Sequence, residues 1–399
     1  MHASRELPLL KRWLRRACPA IHTARSAVIL AVVDSLVRGG KLTLTHLRRD
    51  ISSGAFPKHA IKCVDRLLGN RHLHQERPGI YRAIACWLLA STARPVLLVD
   101  WADCTPGHDW LVLRAAVPLG GRAIPVYEEV HPLERYNSPR THRSFLRHLH
   151  EVLPEGSSPI LVTDAGFRGP WFRDVERFGW DWIGRVRNKI KYRIARGPWT
   201  YMTALYLGAL PSPRYVGRVE LSRREPYRCG LYLVRRYRRG RGRPRKSHGQ
   251  STAARRCRKL HKDPWLLATS LSHDSRTARR VVKLYELRMK IEQGIRDTRN
   301  TRWGFALSYA RSRHPERIER LLLIAALGTL VCWLHGLSAE ARAWGRHFQV
   351  NTLHRRAELS TVFLGQQVLS SSRFRIPRRG LQETFSQLPT LVRKWATAP

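Results

Sequence analysis

The segment PVLLVDWADC (Pro95–Cys104) sets four consecutive apolar residues, Val96 to Val99, directly ahead of Asp100. An uninterrupted valine and leucine run of this length is the pattern of a strand buried on both faces. Two more β-type runs follow, WLVLRAAVPL (Trp110–Leu119) and AIPVYEEVHP (Ala123–Pro132), with Gly120-Gly121 between them as a hairpin turn. Thr141 to Leu153 reads as a helix and PILVTDAGF (Pro159–Phe167) as a second buried strand ending in a turn. A helix over Pro170 to Phe178 and a strand, DWIGRV (Asp181–Val186), complete the unit. Three antiparallel strands, then helix, strand, helix, strand, predict an α/β fold with a mixed five-stranded sheet.

Asp100 and Asp164 both stand where an apolar run stops, Asp164 after Ile160 to Thr163. A carboxylate at the end of a buried strand is rigidly aimed, as a hard oxygen ligand for Mg²⁺ must be. Aspartate also ends strands simply because it suits turns. Asp103 competes with Asp100, its odd spacing pointing it to the other face of a continuing strand. The third element is the helical pattern LYELRMKIEQGIRDTRN (Leu284–Asn300), part of a helix expected from Thr277 to Asn300. At about 100° per residue, Tyr285, Arg288, Glu292 and Arg299 share one stripe, and Leu284, Leu287, Ile291 and Ile295 form an adjoining apolar one. A surface salt-bridge helix has the same spacing. Two arginines and a tyrosine around one glutamate, however, leave an excess of positive charge that suits a bound phosphate.

Lys and Arg total 73 against 29 Asp and Glu, a net charge of +44 on 399 residues. With 43% hydrophobic residues the chain is no disordered polycation, and nucleic acid is the partner that neutralises such a charge. The seven cysteines show no CxxC pair, so they read as reduced thiols rather than a zinc site or a disulfide framework. The N-terminus has no apolar run long enough for a signal peptide. Leu321 to Leu334, inside a helix expected from Pro315 to Leu337, is shorter than a membrane span and reads as a core helix. A cytoplasmic, nucleoid-associated protein with no membrane partner is expected.

The first ninety residues read as helical. Ser26 to Val37 ends at Gly39-Gly40, and Thr43 to Arg49 and Lys58 to Leu68 flank a break at Ser52, Ser53, Gly54 and Pro57. This outlines a helix-turn-helix with Lys58, His59, Lys62 and Arg66 on its second helix. From about Lys189 to Ser272 the pattern is β-rich and basic. There RRYRRGRGRPRK (Arg235–Lys246), with Arg241, Arg243 and Arg245, reads as a solvated phosphate-binding loop; a minor-groove hook is the alternative.

The spacing of Tyr285, Arg288, Glu292 and Arg299 resembles the YREK signature of the insertion-sequence transposases of the IS-four family. The resemblance extends through VLLVDWADC, LVTDAGF, GNRHLHQER (Gly69–Arg77), DPWLLATSL (Asp263–Leu271) and FQVNTLHRRAELSTVFLG (Phe348–Gly365). Arg299 stands where the family has lysine, which keeps charge but changes donor geometry. The resemblance implies an RNase H-like catalytic core in which Asp100, Asp164 and Glu292 are the DDE triad, settling Asp100 over Asp103. It implies a helical DNA-binding domain at residues 1–92, a catalytic domain at 93–338 with a β-rich insertion at about 189–272, and a C-terminal region at 339–399 that serves dimerisation. It further implies two Mg²⁺ ions, with Mn²⁺ as substitute, and cut-and-paste transposition. Its steps are nicking, hairpin formation and resolution at the transposon's terminal inverted repeats, then strand transfer into target DNA by a homodimer. Tyr285, Arg288 and Arg299 then hold phosphates, and Trp265 stacks on a base flipped from the DNA end. A DNA-binding relative that does not cut, and an RNase H-fold nuclease or resolvase, are the alternatives.

The charge makes a first prediction. With six to ten phosphates neutralised, affinity for duplex DNA falls by about 10³ to 10⁵ between 50 and 200 mM salt. A flat salt titration by fluorescence anisotropy overturns the polyanion reading.

Overall fold

The computed structural model describes residues 7–48, 56–187, 190–236, 263–271, 274, 276–350 and 359–396. Five N-terminal helices, α1 (Leu7–Ala17), α2 (Thr23–Val37), α3 (Leu44–Leu47), α4 (Pro57–Gly69) and α5 (Arg71–Leu89), precede β1 (Val96–Asp103), β2 (Trp110–Leu119), β3 (Arg122–Pro132) and α6 (Pro139–Val152). Next come β4 (Ile160–Thr163), α7 (Gly169–Arg177), β5 (Asp181–Val186), β6 (Lys191–Ile194), β7 (Thr200–Tyr201), β8 (Arg214–Leu221), β9 (Tyr227–Val234) and β10 (Trp265–Thr269). The chain continues with α8 (Thr277–Glu286), α9 (Met289–Arg299), α10 (Pro315–Glu340), α11 (Thr361–Ser370) and α12 (Arg378–Ala396). The protein is thus mixed α/β. Its contacts divide it into two compact units, Met1–Pro159 with Arg288–Thr397, and Ile160–Leu287.

In the first unit β3, β2 and β1 form an antiparallel sheet, with Asp100 opposite Arg114 and Arg114 opposite Glu128. The N-terminal helices belong to this unit and share its core with α10, which packs on α2, α5, α11 and β3. By length and apolarity α10 could cross a membrane, but 83% of its most apolar window is buried in the fold. It begins at Pro315 as expected and runs to Glu340, three residues beyond the expected Leu337. A Cβ on Gly336 of α10 would lie 1.8 Å from the Thr361 carbonyl, and one on Gly365 of α11 1.7 Å from the Cys332 carbonyl. Only glycine lets these two helix backbones touch.

The second unit has a mixed sheet in the order β4-β5-β10-β9-β8-β6-β7, parallel only between β4 and β5. The β-rich stretch lies within this sheet. Its last strand, β10, pairs with β5, and β9, β8, β6 and β7 carry the sheet onward, so strand pairing does not stop at the five strands expected. Sequence patterning could not reveal this, because an edge strand and an interior strand with the same apolar run look alike. On this sheet Phe172 of α7 stacks on Trp182 of β5 at 3.9 Å between ring centroids.

The first unit also buries a set of charges between β2, β3, α5 and α10. Glu128 is fully buried, and accepts from Arg114 Nε at 2.7 Å and the Tyr81 hydroxyl at 2.7 Å. Glu319 accepts from the Val130 N–H at 2.9 Å and lies 3.0 Å from an Arg77 guanidinium nitrogen. Such charges are tolerated inside only when paired and hydrogen-bonded. Burial alone would raise the Glu129 carboxyl, but hydrogen bonds with His131 (3.0 Å) and His148 (2.6 Å), with help from Tyr127, bring it down to about 2. The same bond to Glu129 raises His148 above its ordinary 6.5. Among the described residues the cysteines are free, as expected; Cys257 lies outside them.

These shifts predict a pH signature. His148 contributes stability that is full below about pH 6.5 and is lost as pH rises through its raised folded value, while the Glu129 contribution is present above 4.5 and lost only as pH falls through about 2. The melting-temperature gap between the native protein and His148→Gln should therefore be largest at pH 5–6 and shrink toward pH 9. A gap that grows with pH contradicts the pairing.

Candidate active site

Asp100 is the fifth residue of β1, not its last. The strand runs on through Asp103 because Ala102 and Asp103 keep pairing with Val112 and Leu111 of β2. One Asp100 oxygen accepts the Trp101 N–H at 3.0 Å, and the other faces Arg288 at 3.5 Å. Trp101 is itself fixed, donating its indole N–H to His142 Nε2 of α6 at 3.0 Å. Neither Trp101 nor His142 was singled out from the sequence. The signal was an aromatic residue directly after the aspartate, with its partner hidden in a helix.

The helix expected from Thr277 to Asn300 is interrupted. α8 ends at Glu286 and α9 begins at Met289, with Leu287 and Arg288 in a turn whose backbone stays in the right-handed helical region. The Leu287 N–H turns to the Leu284 and Tyr285 carbonyls rather than to the residue four back, so the regular ladder is broken there. The boundary between the two units falls at this same step. Consequently Tyr285 belongs to one unit, and Arg288, Glu292 and Arg299 to the other.

In the first unit α9 lies on the β1–β3 sheet with Ile291 and Ile295 buried beneath it. Arg122 of β3 ties it down by pairing with Asp297 and reaching Gln293 at 3.2 Å. A Cβ on Gly294 would stand 3.2 Å from the Ala123 carbonyl, so the helix backbone approaches the strand closely. This presents Glu292, in the first turn of α9, where the helix dipole favours an acid. Arg288 joins the two carboxylates, 2.5 Å from Glu292 and 3.5 Å from Asp100. Arg299 ends α9 and lies 3.8 Å from Asp103, which also pairs with His108 at 2.7 Å. Asp103 therefore serves the cations around the site. Burial pushes the Cys104 thiol well up, which leaves no thiolate nucleophile at the end of β1.

In the second unit Asp164 follows β4, and its carboxylate accepts the Gly166 N–H at 2.7 Å in a tight turn. Trp265 opens β10, half-buried, with its ring edge-on to Tyr285 at 5.0 Å. Tyr285 is buried. Lys58, Lys62 and Arg66 lie exposed on α4, whose apolar face buries Ala60, Val64, Leu67 and Leu68. The helix expected ahead of it is only the four residues of α3, and Ser52, Ser53 and Gly54 lie outside the described residues. So do Arg241, Arg243 and Arg245.

Asp100 and Glu292 are hard oxygen donors, the chemistry a divalent ion requires, and they already gather around a positive group. In chemistry these two carboxylates suit a divalent ion; Asp164 belongs to the other unit. Among the described residues no group of three or more His, Cys, Asp or Glu side chains is arranged to hold one. Residues 126–328, just over half the chain, match the family described as Transposase DDE domain. The matched span includes Asp164 and Glu292 and begins after Asp100. A search of curated proteins finds no match.

Proposed function

This chain belongs to the DDE transposase family, enzymes that move DNA by metal-dependent cutting and strand transfer, and on that premise we propose that Asp100, Asp164 and Glu292 are its catalytic triad. The supporting observation is that Asp100 and Glu292, far apart in sequence, meet on one guanidinium, that of Arg288. The finer reading is an IS-four type enzyme similar to the transposase of the Tn-ten transposon, with an RNase H-like core.

Asp100, Asp164 and Glu292 would hold two Mg²⁺ ions, for which Mn²⁺ would substitute, and these would supply the Lewis acidity for phosphoryl transfer. Arg288, Arg299 and Tyr285, whose ring lies edge-on to Trp265, hold phosphates near the cut transposon end. Lys58, Lys62 and Arg66 on α4, and Arg241, Arg243 and Arg245 in the basic segment, bind DNA backbone, chiefly by counterion release. Water cleaves one phosphodiester at the end to free a 3′-OH, which attacks the phosphodiester opposite and forms a hairpin as the flanking strand's 3′-oxygen leaves. Water then cleaves the hairpin phosphodiester and restores the 3′-OH, which attacks a target phosphodiester and displaces the target strand's 3′-oxygen. Trp265 replaces the stacking lost by a base unstacked at the hairpin. Two chains act together at paired ends, in the cytoplasm at the nucleoid, with residues 1–92 recognising the ends and 339–399 serving dimerisation.

Cleavage of a linear transposon end with Mg²⁺ tests the triad. Asp100→Ala should lose at least about 10³-fold in rate, since a metal ligand supports several kcal/mol of transition-state stabilisation. Asp103→Asn, which loosens Arg299 and His108, should keep the rate within about tenfold, each tenfold being 1.36 kcal/mol. Equal losses in the two variants refute the choice of Asp100. Trp265→Ala should weaken hairpin formation by about 5- to 160-fold, from about 1–3 kcal/mol of stacking, while nicking persists. Strand-transfer products separate this reading from that of a plain nuclease, and dependence on divalent metal separates it from a binder.

A further inference from the structure

We infer that Arg288 is a displaceable counter-ion that occupies the carboxylate pair until DNA draws it away, so that DNA and divalent metal load cooperatively. The inference rests on the triad reading above and concerns what holds the triad before substrate arrives. Asp100 presents an oxygen to Arg288 at 3.5 Å and Glu292 one at 2.5 Å, and these carboxylates are the groups proposed to bind metal. A guanidinium and a divalent ion compete for the same carboxylate oxygens. Their charges repel, and the repulsion is strong where solvent is scarce. Here the Arg288 and Asp100 side chains are only 15% and 12% exposed.

An Arg–Glu pair along one helix does not explain the arrangement by itself. The order with the cation N-terminal to the acid is the weaker one on a helix. The guanidinium is fixed because a second carboxylate reaches it from β1. Arg288 also lies in the two-residue turn between α8 and α9 rather than inside either helix. Its flat fork of donors matches a phosphate as well as a carboxylate. A DNA phosphate arriving at the site offers Arg288 an exchange of partners, which empties the oxygens for metal. Linkage then requires metal to strengthen DNA binding by the factor by which DNA strengthens metal binding.

The test uses the full chain and a duplex carrying the element's own end, with Ca²⁺ as a divalent ion and no reading of cleavage. Ion affinity is measured by calorimetry with and without DNA, and DNA affinity by anisotropy with and without ion. For the native protein each partner should strengthen the other by at least about tenfold. Arg288→Gln and Arg288→Met, both checked by thermal melting and either sufficient if the other fails to fold, should bind the ion without DNA about tenfold more tightly than the native protein, with coupling reduced to within about threefold of none. Native-like ion affinity in the DNA-free variants overturns the inference. Glu292→Gln separates the two levels. If it loses the ion while the Arg288 variants gain nothing, only the counter-ion role falls; if it binds the ion like the native protein, the triad assignment falls as well.

Discussion

Two carboxylates held near one another repel, and everything at this site depends on what neutralises them. In the first unit that is Arg288, which spans Asp100 on β1 and Glu292 on α9. The pair is only as well placed as the two elements that bear it. α9 is fixed to the sheet by burial of Ile291 and Ile295 and by Arg122, while Gly294 allows the close backbone approach. β1 is fixed by its ladder to β2 and by the Trp101–His142 bond beside Asp100. Packing thus supplies the precision, and electrostatics supplies the reason for the groups to stay together.

Beneath the same sheet a second set of charges is buried outright. Arg114, Glu128, Arg77 and Glu319 satisfy one another across β2, β3, α5 and α10, and Glu129 gathers Tyr127, His131 and His148. Breaking one member of a buried pair is costly because the other is left without compensation, commonly about 3–5 kcal/mol. That cost favours the observed register, in which Arg114 stands opposite Glu128.

The surplus of positive charge and the few gathered acids are complementary facts. A chain of charge +44 resists compaction unless polyanion or internal acids offset it. Some of the acids, among them Asp100, Glu128, Glu129 and Glu319, are buried, while Lys58, Lys62 and Arg66 of α4 lie exposed. DNA transposition by metal-dependent chemistry, which the family carries out, uses both halves of that distribution.

By itself the sequence determined the element types. Apolar runs marked β1, β2, β3, β4 and β5, glycine pairs marked turns, and the helical period at Ile291 and Ile295 marked the buried face of α9. These signals are local, set by backbone geometry and by which residues avoid water. The spacing of Arg288 and Glu292 was legible for the same reason, being one helical turn apart. What only the tertiary structure decided were events between distant segments: the continuation of β1 to Asp103, the pairing of β10 with β5, and the helix break at Leu287–Arg288. It also decided which carboxylate each cation would find. Arg288 takes Asp100 and Glu292, and Arg299 takes Asp103, because a side chain's partner is chosen by the three-dimensional neighbours that packing supplies, and no period along the chain encodes those.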